Sequence, residues 1–375
     1  MSNFFSAGKV RGQKGFQHGR EPALGILVVN LGTPDAATSS AVRRYLAEFL
    51  SDSRVVEIPR LIWKIILHGI ILRVRPAKSA RAYQRVWSER GSPLMAASSD
   101  LAAQIGEKMQ QHCSGRVVTE LAMRYGNPSI REALEKLQAA GAERLLVLPL
   151  YPQYSGATTG TVADAVFKNL MQWRWVPELR MMGAYHDDPL YINAVADSVR
   201  NHWQENGRGD RLLISFHGMP KATLIAGDPY FCHCHKSARL IAEALNLNEG
   251  EWEMAFQSRF GAAEWLQPSR PERWEALPAE GIKHLTVVCP GFAVDCLETL
   301  DEIAIEGRDE FLAAGGERFD YVPALNSSPA QLELMVQRLI RHASGWPELE
   351  PEVDQARLNE NLNLSAQLAR AAGGN

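Results

Sequence analysis

RLLISFHGMP, residues 211–220, decides how the chain is built. A short continuous apolar run ends abruptly at a histidine, a glycine and, two residues on, a proline. Such a run is too short for a helix and has no alternation for a half-wet strand, so it reads as a strand covered on both faces, the habit of parallel sheets. The same pattern recurs at GILVVNL (25–31), RVVTELAM (116–123), RLLVLPL (144–150), LRMMGAY (179–185), WEMAFQ (252–257), HLTVVCP (284–290) and RFDYVP (318–323). Between these runs lie amphipathic stretches at 39–50, 94–111, 129–139, 160–172, 190–205, 234–246, 296–313 and 329–343. Strand and helix in alternation make βαβ units and an α/β fold. Long insertions near 51–93 and 217–233 break the even spacing that one closed barrel needs, and favour two doubly wound domains.

The bulk composition narrows the function. A chain of 375 residues, 46% hydrophobic, can bury a sizeable core, and its length suits two domains. A net charge of −3 supplies no global basic field for nucleic acid. The five cysteines (113, 232, 234, 289 and 296) are odd in number and scattered, which points to a reducing compartment rather than a secreted disulfide framework. Residues 1–22 contain no apolar stretch of signal-peptide type and read as a mobile arm; the last 25 residues read as a polar, loosely attached tail.

In open parallel sheets, ligands sit beyond the carboxyl ends of the strands. Four exits are rich in Gly, Pro and polar groups: NLGTPD (30–35), YPQYSGATTG (151–160), SFHGMP (215–220) and CPGFAVDCLETL (289–300). His217 stands where a strand turns sharply out of its sheet. There it either braces the turn or acts as a base or metal contact, since imidazole titrates near neutrality. Glu298, Glu302 and Glu306 follow at spacings of four, a column in which like charges repel by a few tenths of a kcal/mol per pair, roughly. It is either a solvated acidic face or a path for a cation. Its flanks (Leu297, Leu300, Ile303, Ile305) are apolar, so the local sequence offers few neutralising cations, and carboxylates in series suit a divalent metal passed onward.

Three further stretches tempt other readings. FCHCHKS (231–237) has C-x-C rather than C-x2-C spacing, which favours a solvent-facing loop opening a helix over a metal cluster. YPQYSGATTGT resembles an anion loop but lacks the P-loop pattern. LIWKIILHGIIL within 55–87 carries Lys64 and His68 and is too short to span a bilayer. It is either a buried core helix or an apolar lip that rests on a membrane surface or admits a greasy ligand. Arginines beside such a wall suit a flat hydrophobic ligand bearing carboxylates.

Together these stretches resemble the ferrochelatases, which insert Fe2+ into protoporphyrin IX. The motifs that carry the likeness are NLGTPD, RGSPL, MRYGNP, YPQYSGATTG, SFHGMP, GDPY, FQSRFG, CPGFAVDCLETLDEI and PALN, spread over about residues 23 to 345. The resemblance implies two Rossmann-like domains, each a parallel sheet flanked by helices, with a porphyrin cleft between them. The domains would be 23–152, with an apolar lip at 55–75 and a completing helix near 329–345, and 153–328, between the arm 1–22 and the tail 346–375. It implies His217 at the macrocycle face, for proton abstraction or metal contact, and Glu298 opposite. Glu302 and Glu306 would lead inward from the surface on a helix with a π-type stretch. Arg124, Tyr125 and Trp265 would belong to the porphyrin pocket, and Ser92, Arg73 and Arg75 to the propionate side. Ferrous iron would be substrate, with no organic cofactor. No cysteine follows residue 296, so no 2Fe–2S cluster of the kind some members carry is expected. Cys296 stands where several members have a histidine. Leu31 stands where coproporphyrin-using relatives have a tyrosine, which favours protoporphyrin. The implied setting is cytoplasmic, with peripheral membrane contact through 55–75 and no nucleic acid partner. The rival readings are a chelatase for coproporphyrin III, another tetrapyrrole or another metal, and a haem- or metal-binding carrier without chemistry.

Overall fold

The computed structural model describes residues 10–13, 15–259, 263–350 and 354–374, with the side chains of 270, 271, 275 and 355 left aside. The first nine residues of the expected arm and part of the FQSRFG motif lie outside the described residues. Two four-stranded parallel sheets form. The first contains β1 (Ala23–Gly32), β2 (Arg116–Tyr125), β3 (Ala142–Pro149) and β4 (Glu178–Met181), in the order β2-β1-β3-β4. The second contains β5 (Arg211–His217), β6 (Trp252–Gln257), β7 (His284–Val288) and β8 (Arg318–Val322), in the order β6-β5-β7-β8. Both sheets therefore share one topology, although the sequence shows no internal repeat.

All eight expected strands form, because each central run is sealed on both faces: Leu24, Ile26, Leu27, Val28 and Val29 on β1 and Leu213, Ile214 and Phe216 on β5 are fully buried. LRMMGAY stops early. β4 is an edge strand with a single neighbour, β3, and pairs with it over four residues only. One apolar core runs through both lobes, from Leu24 and Ile26 to Leu212 and Phe216, and includes Leu334 and Leu339 of the helix Pro329–Ala343. That helix packs on the first lobe, against Pro93–His112 and β3, although it follows the second lobe in sequence.

The 55–87 region becomes a rod: helix Arg60–Ile66, a π turn Leu67–Ile71 and helix Leu72–Val86. Trp63, Leu67 and Leu72 turn inward, and the Trp63 indole N–H donates to the Leu50 carbonyl at 2.6 Å. Leu61 and Ile65 are 82% and 75% exposed, so the segment is not a fully buried core helix but presents an apolar outer face. FCHCHKS, expected as a loop, lies inside the helix Tyr230–Ala244. The Asp228 carboxylate accepts the Tyr230 N–H and starts that helix early, which leaves Cys232 exposed and Cys234 buried. The tail contains the helix Gln355–Ala371, capped by Asp354, and Gly19 of the arm lies against its Leu362 carbonyl.

Candidate active site

The four exits converge. A cleft of about 220 Å3 is lined by Asn30 and Leu31 after β1, Tyr151, Gln153, Ala157 and Thr158 after β3, residues 217–220 after β5, and Gly291, Phe292, Ala293, Val294, Cys296 and Glu298 after β7. A larger hollow, about 380 Å3, sits at the other end of β3 beside Phe16, His18, Trp173 and Trp175, away from the carboxyl ends of the strands. The cleft at the exits is therefore the candidate site.

His217 is the last residue of β5. Its Nδ1 lies 2.7 Å from the Gly218 carbonyl oxygen. A carbonyl only accepts, so Nδ1 carries a proton, and in the neutral ring the lone pair is at Nε2. The Gly218 N–H in turn donates to the Gln257 carbonyl at 2.6 Å. A Cβ on Gly218 would stand 2.6 Å from that oxygen and 3.1 Å from the Trp265 ring, so only glycine permits the turn. The Tyr230 hydroxyl donates to the His217 carbonyl at 3.0 Å.

Glu298 occupies the first turn of the helix Leu297–Leu300. The turn before it is fixed by buried Asp295, which accepts from Tyr321 Oη at 2.6 Å, Asn326 Nδ2 at 2.8 Å and Thr299 Oγ1 at 2.9 Å. Asp295 is thus a structural hub. Burial pushes the Cys296 thiol well up, and the neighbouring Glu298 charge adds to this. Tyr83, on the lip rod, is raised by burial first and by Glu298 next, which places that phenol within the carboxylate's field.

Beyond Asp301 the helix widens to a π stretch, Glu302–Gly307, in which the Glu306 N–H donates to the Asp301 carbonyl at 2.8 Å. Glu302 accepts from the Ser258 hydroxyl. The column, short of cations in its local sequence, meets them from elsewhere in the chain. Arg85, from the lip rod, grips buried Asp301 in a bidentate pair at 2.5 and 2.7 Å and reaches Glu306 at 2.7 Å. Arg75 of the same rod feels the Glu302 charge, although burial lowers its own pKa first. The local sequence could not show these cations because they come from the other lobe.

Of the expected site residues, His217, Glu298, Leu31 and Trp265 line the cleft; Glu302, Glu306, Ser92, Arg73, Arg75, Arg124 and Tyr125 do not. Arg124 and Tyr125 lie beneath the floor, held by Asp52 at 2.5 and 3.0 Å, and Tyr125 supports Phe49, which does line the cleft, edge-on at 5.0 Å. Ser92 is buried at the start of the helix Pro93–His112, two residues before cleft-lining Leu94. Arg73 is exposed on the rod and Arg75 is half-buried. Among the described residues no three His, Cys, Asp or Glu side chains converge into a metal cage. Phe49 and Val55 were missed, and Tyr151 and Met219 were not singled out within their motifs; only the three-dimensional cleft separates such apolar residues from core. The YPQYSGATTG loop does hold an anion, the carboxylate of Asp228: the Gly156 N–H and Ser155 hydroxyl donate to it at 2.7 and 3.2 Å.

Two doubly wound lobes that present an imidazole and a carboxylate in one apolar-walled cleft define a chelatase-type architecture. The solved structure of SirB from Bacillus subtilis with Fe3+ shares the fold, with a TM-score of 0.52 at 14% identity over 88% of this chain and all of that one. The family model described as Ferrochelatase matches residues 23–343. Curated relatives named ferrochelatase include those of Nitrosococcus oceani, 52% identical over 97% of this chain and 98% of the relative, and Thioalkalivibrio sulfidiphilus, 53% identical over 96% and 98%. The chain belongs to the ferrochelatase family.

Proposed function

We infer that this enzyme, a porphyrin metal chelatase of the lyase class, inserts ferrous iron into protoporphyrin IX with release of two protons, a step of haem biosynthesis. The observation that carries the site assignment is the free Nε2 of His217 in the same cleft as Glu298. A planar macrocycle hides its nitrogen lone pairs, and a cleft that favours the buckled form spends binding energy on exposing them. Leu31, Phe49, Leu94 and Val294 supply the apolar wall for such a ring. His217 takes the pyrrole protons at Nε2; Glu298 shares proton or metal duty; Glu302 and Glu306 hand protons or iron along the π stretch. Because Arg85 already neutralises Glu306, that carboxylate draws in a cation only by competing with the guanidinium.

Leu31 offers no atom to ligate iron, which supports protoporphyrin over coproporphyrin. Anaerobic iron insertion into the two porphyrins side by side tests the reading: protoporphyrin turns over faster, and a preference for coproporphyrin overturns the assignment. Stoichiometric binding without metallation of either would return the carrier reading.

The exposed lip supports peripheral contact with the cytoplasmic face of a membrane, the rod lying on lipid through Leu61, Ile62 and Ile65 and flanked by Arg60 and Lys64. Among the described residues no helix is long and apolar enough to cross a membrane. We place the division between the two lobes after β4, which completes the first sheet, rather than at 152–153, with 329–345 returning to the first.

A further inference from the structure

Gln257 ends β6 directly opposite His217, and its side chain is 1% exposed. A buried primary amide has to place its donors and acceptor on partners, or lose about 1–3 kcal/mol for each unmet group. The partners here extend beyond the sheet neighbours. Nε2 donates to the carbonyl oxygen of Glu298 at 2.9 Å. Oε1 accepts from Ser215 Oγ on β5 at 2.8 Å, and from Cys289 Sγ just past β7 at 3.7 Å. Glu298's carbonyl can only accept, so the amide nitrogen must face it and the orientation of the group is determined. The main-chain carbonyl of the same residue takes the Gly218 N–H, and the Gly218 carbonyl holds His217 Nδ1. One residue therefore grips the peptide that orients the imidazole and the peptide that carries the carboxylate.

We propose that Gln257 is a positioning residue that sets the spacing of His217 and Glu298 about the bound macrocycle. It touches neither reacting side chain. A buried amide that only stabilised the sheet would bond within its own strands. This one reaches across from β6 to the first turn of the helix after β7, so the two reacting groups move as one unit. The inference rests on the assignment of His217 and Glu298 as the reacting pair. Misplacing a reacting group by about 1 Å costs on the order of 100-fold in rate, so the effect should appear in kcat rather than in porphyrin binding.

The test uses the full chain, with iron or zinc insertion into protoporphyrin and porphyrin affinity by fluorescence titration. Gln257→Met keeps the side-chain volume and removes all three side-chain bonds; Gln257→Glu keeps the acceptor for Ser215 and loses the donor to Glu298. Both should lower kcat by roughly 10- to 100-fold and leave porphyrin Kd within about threefold. Ser215→Ala, which removes one of the two donors to Oε1 and leaves the bond to Glu298, should keep kcat within about threefold of the parent. Should Gln257→Met fail to fold, Gln257→Glu gives the same reading. Parent-like kcat in the Gln257 variants, or an equal loss in Ser215→Ala, overturns the proposal. His217→Ala and Glu298→Gln run alongside. If these two lose turnover while the Gln257 variants keep it, only the positioning role fails. If they keep turnover, the reacting pair is wrong and this inference falls with it.

Discussion

The first lobe and the second carry the same strand order, β2-β1-β3-β4 and β6-β5-β7-β8, yet they give different chemistry to the cleft they share. From the first come Leu31, Phe49, Leu94, Leu150 and Tyr151, an apolar wall with few polar atoms. From the second come His217, Cys296 and Glu298, with Glu302 and Glu306 in line behind. Topology decides where a strand exit falls; the residue at the exit decides what the exit does. On the proposed assignment the first lobe chiefly holds a flat ring, with Phe292 and Val294 of the second adding to the wall, and the second exchanges protons and metal. The holding lobe also sends out the rod whose Arg85 ties onto the acidic helix of the reacting lobe.

The largest expected effect tests that division directly. His217→Ala should cut turnover by roughly 10²- to 10⁴-fold, the usual worth of a positioned base. Leu31→Ala should act mainly on porphyrin Kd, with kcat changed by less than about tenfold. Steady-state metal insertion and porphyrin titration separate the two, and equal losses of kcat would erase the distinction between the lobes.

Arg85→Ala loosens the joint between them. Removing one partner of a fully buried pair costs about 3–5 kcal/mol. The Asp301 side chain is 3% exposed but that of Arg85 is 44% exposed, so solvent screening brings the expectation to about 2 kcal/mol. Denaturant unfolding measures it, and a loss below about 0.5 kcal/mol would leave the lobes joined by the shared apolar core alone.

A further joint lies at the crossover, where His186 and His233 stack with ring centroids 3.6 Å apart and Nδ1 of His233 accepts the Tyr154 N–H. Burial, and then the neighbouring His233, lower the His186 pKa to about 4; Asp187 opposes this and Lys236 adds to it. The folded protein therefore binds fewer protons here than the unfolded chain does between about pH 6.5 and 4. Stability falls as pH drops through that window and levels off below it, with a slope of at most about 1.4 kcal/mol per pH unit for one proton. Thermal melts across the window should be flatter for His186→Gln than for the parent. The smallest effect on catalysis belongs to the lip, which has no counterpart in the second lobe. Leu61→Asp with Ile65→Asp should abolish flotation with anionic vesicles and change turnover of detergent-dispersed porphyrin by less than about twofold.

The strands were legible in the sequence because each is a short apolar run between turn residues, a signal that needs no knowledge of partners. His217 and Glu298 were legible for the same reason: strand ends are where a parallel sheet opens to ligands. The π stretch Glu302–Gly307 bears out the family resemblance; the α-helical spacing of the acids gave no sign of it. FCHCHKS misled because the helix start depends on the Asp228 carboxylate, which lies before the motif and also serves the loop at Ser155 and Gly156.

Local pattern, then, determined the eight strands, the α/β class and the exits that bear the acid and the imidazole, since burial on both faces leaves its mark within a few residues. Tertiary packing alone decided that Arg85 would meet Asp301 across 216 residues of chain, that Arg124 and Tyr125 would brace the floor on Asp52, and that Leu61 would face outward while Trp63 turned in. Ion pairs and exposure depend on which surfaces meet, and distant segments meet only once the sheets are stacked.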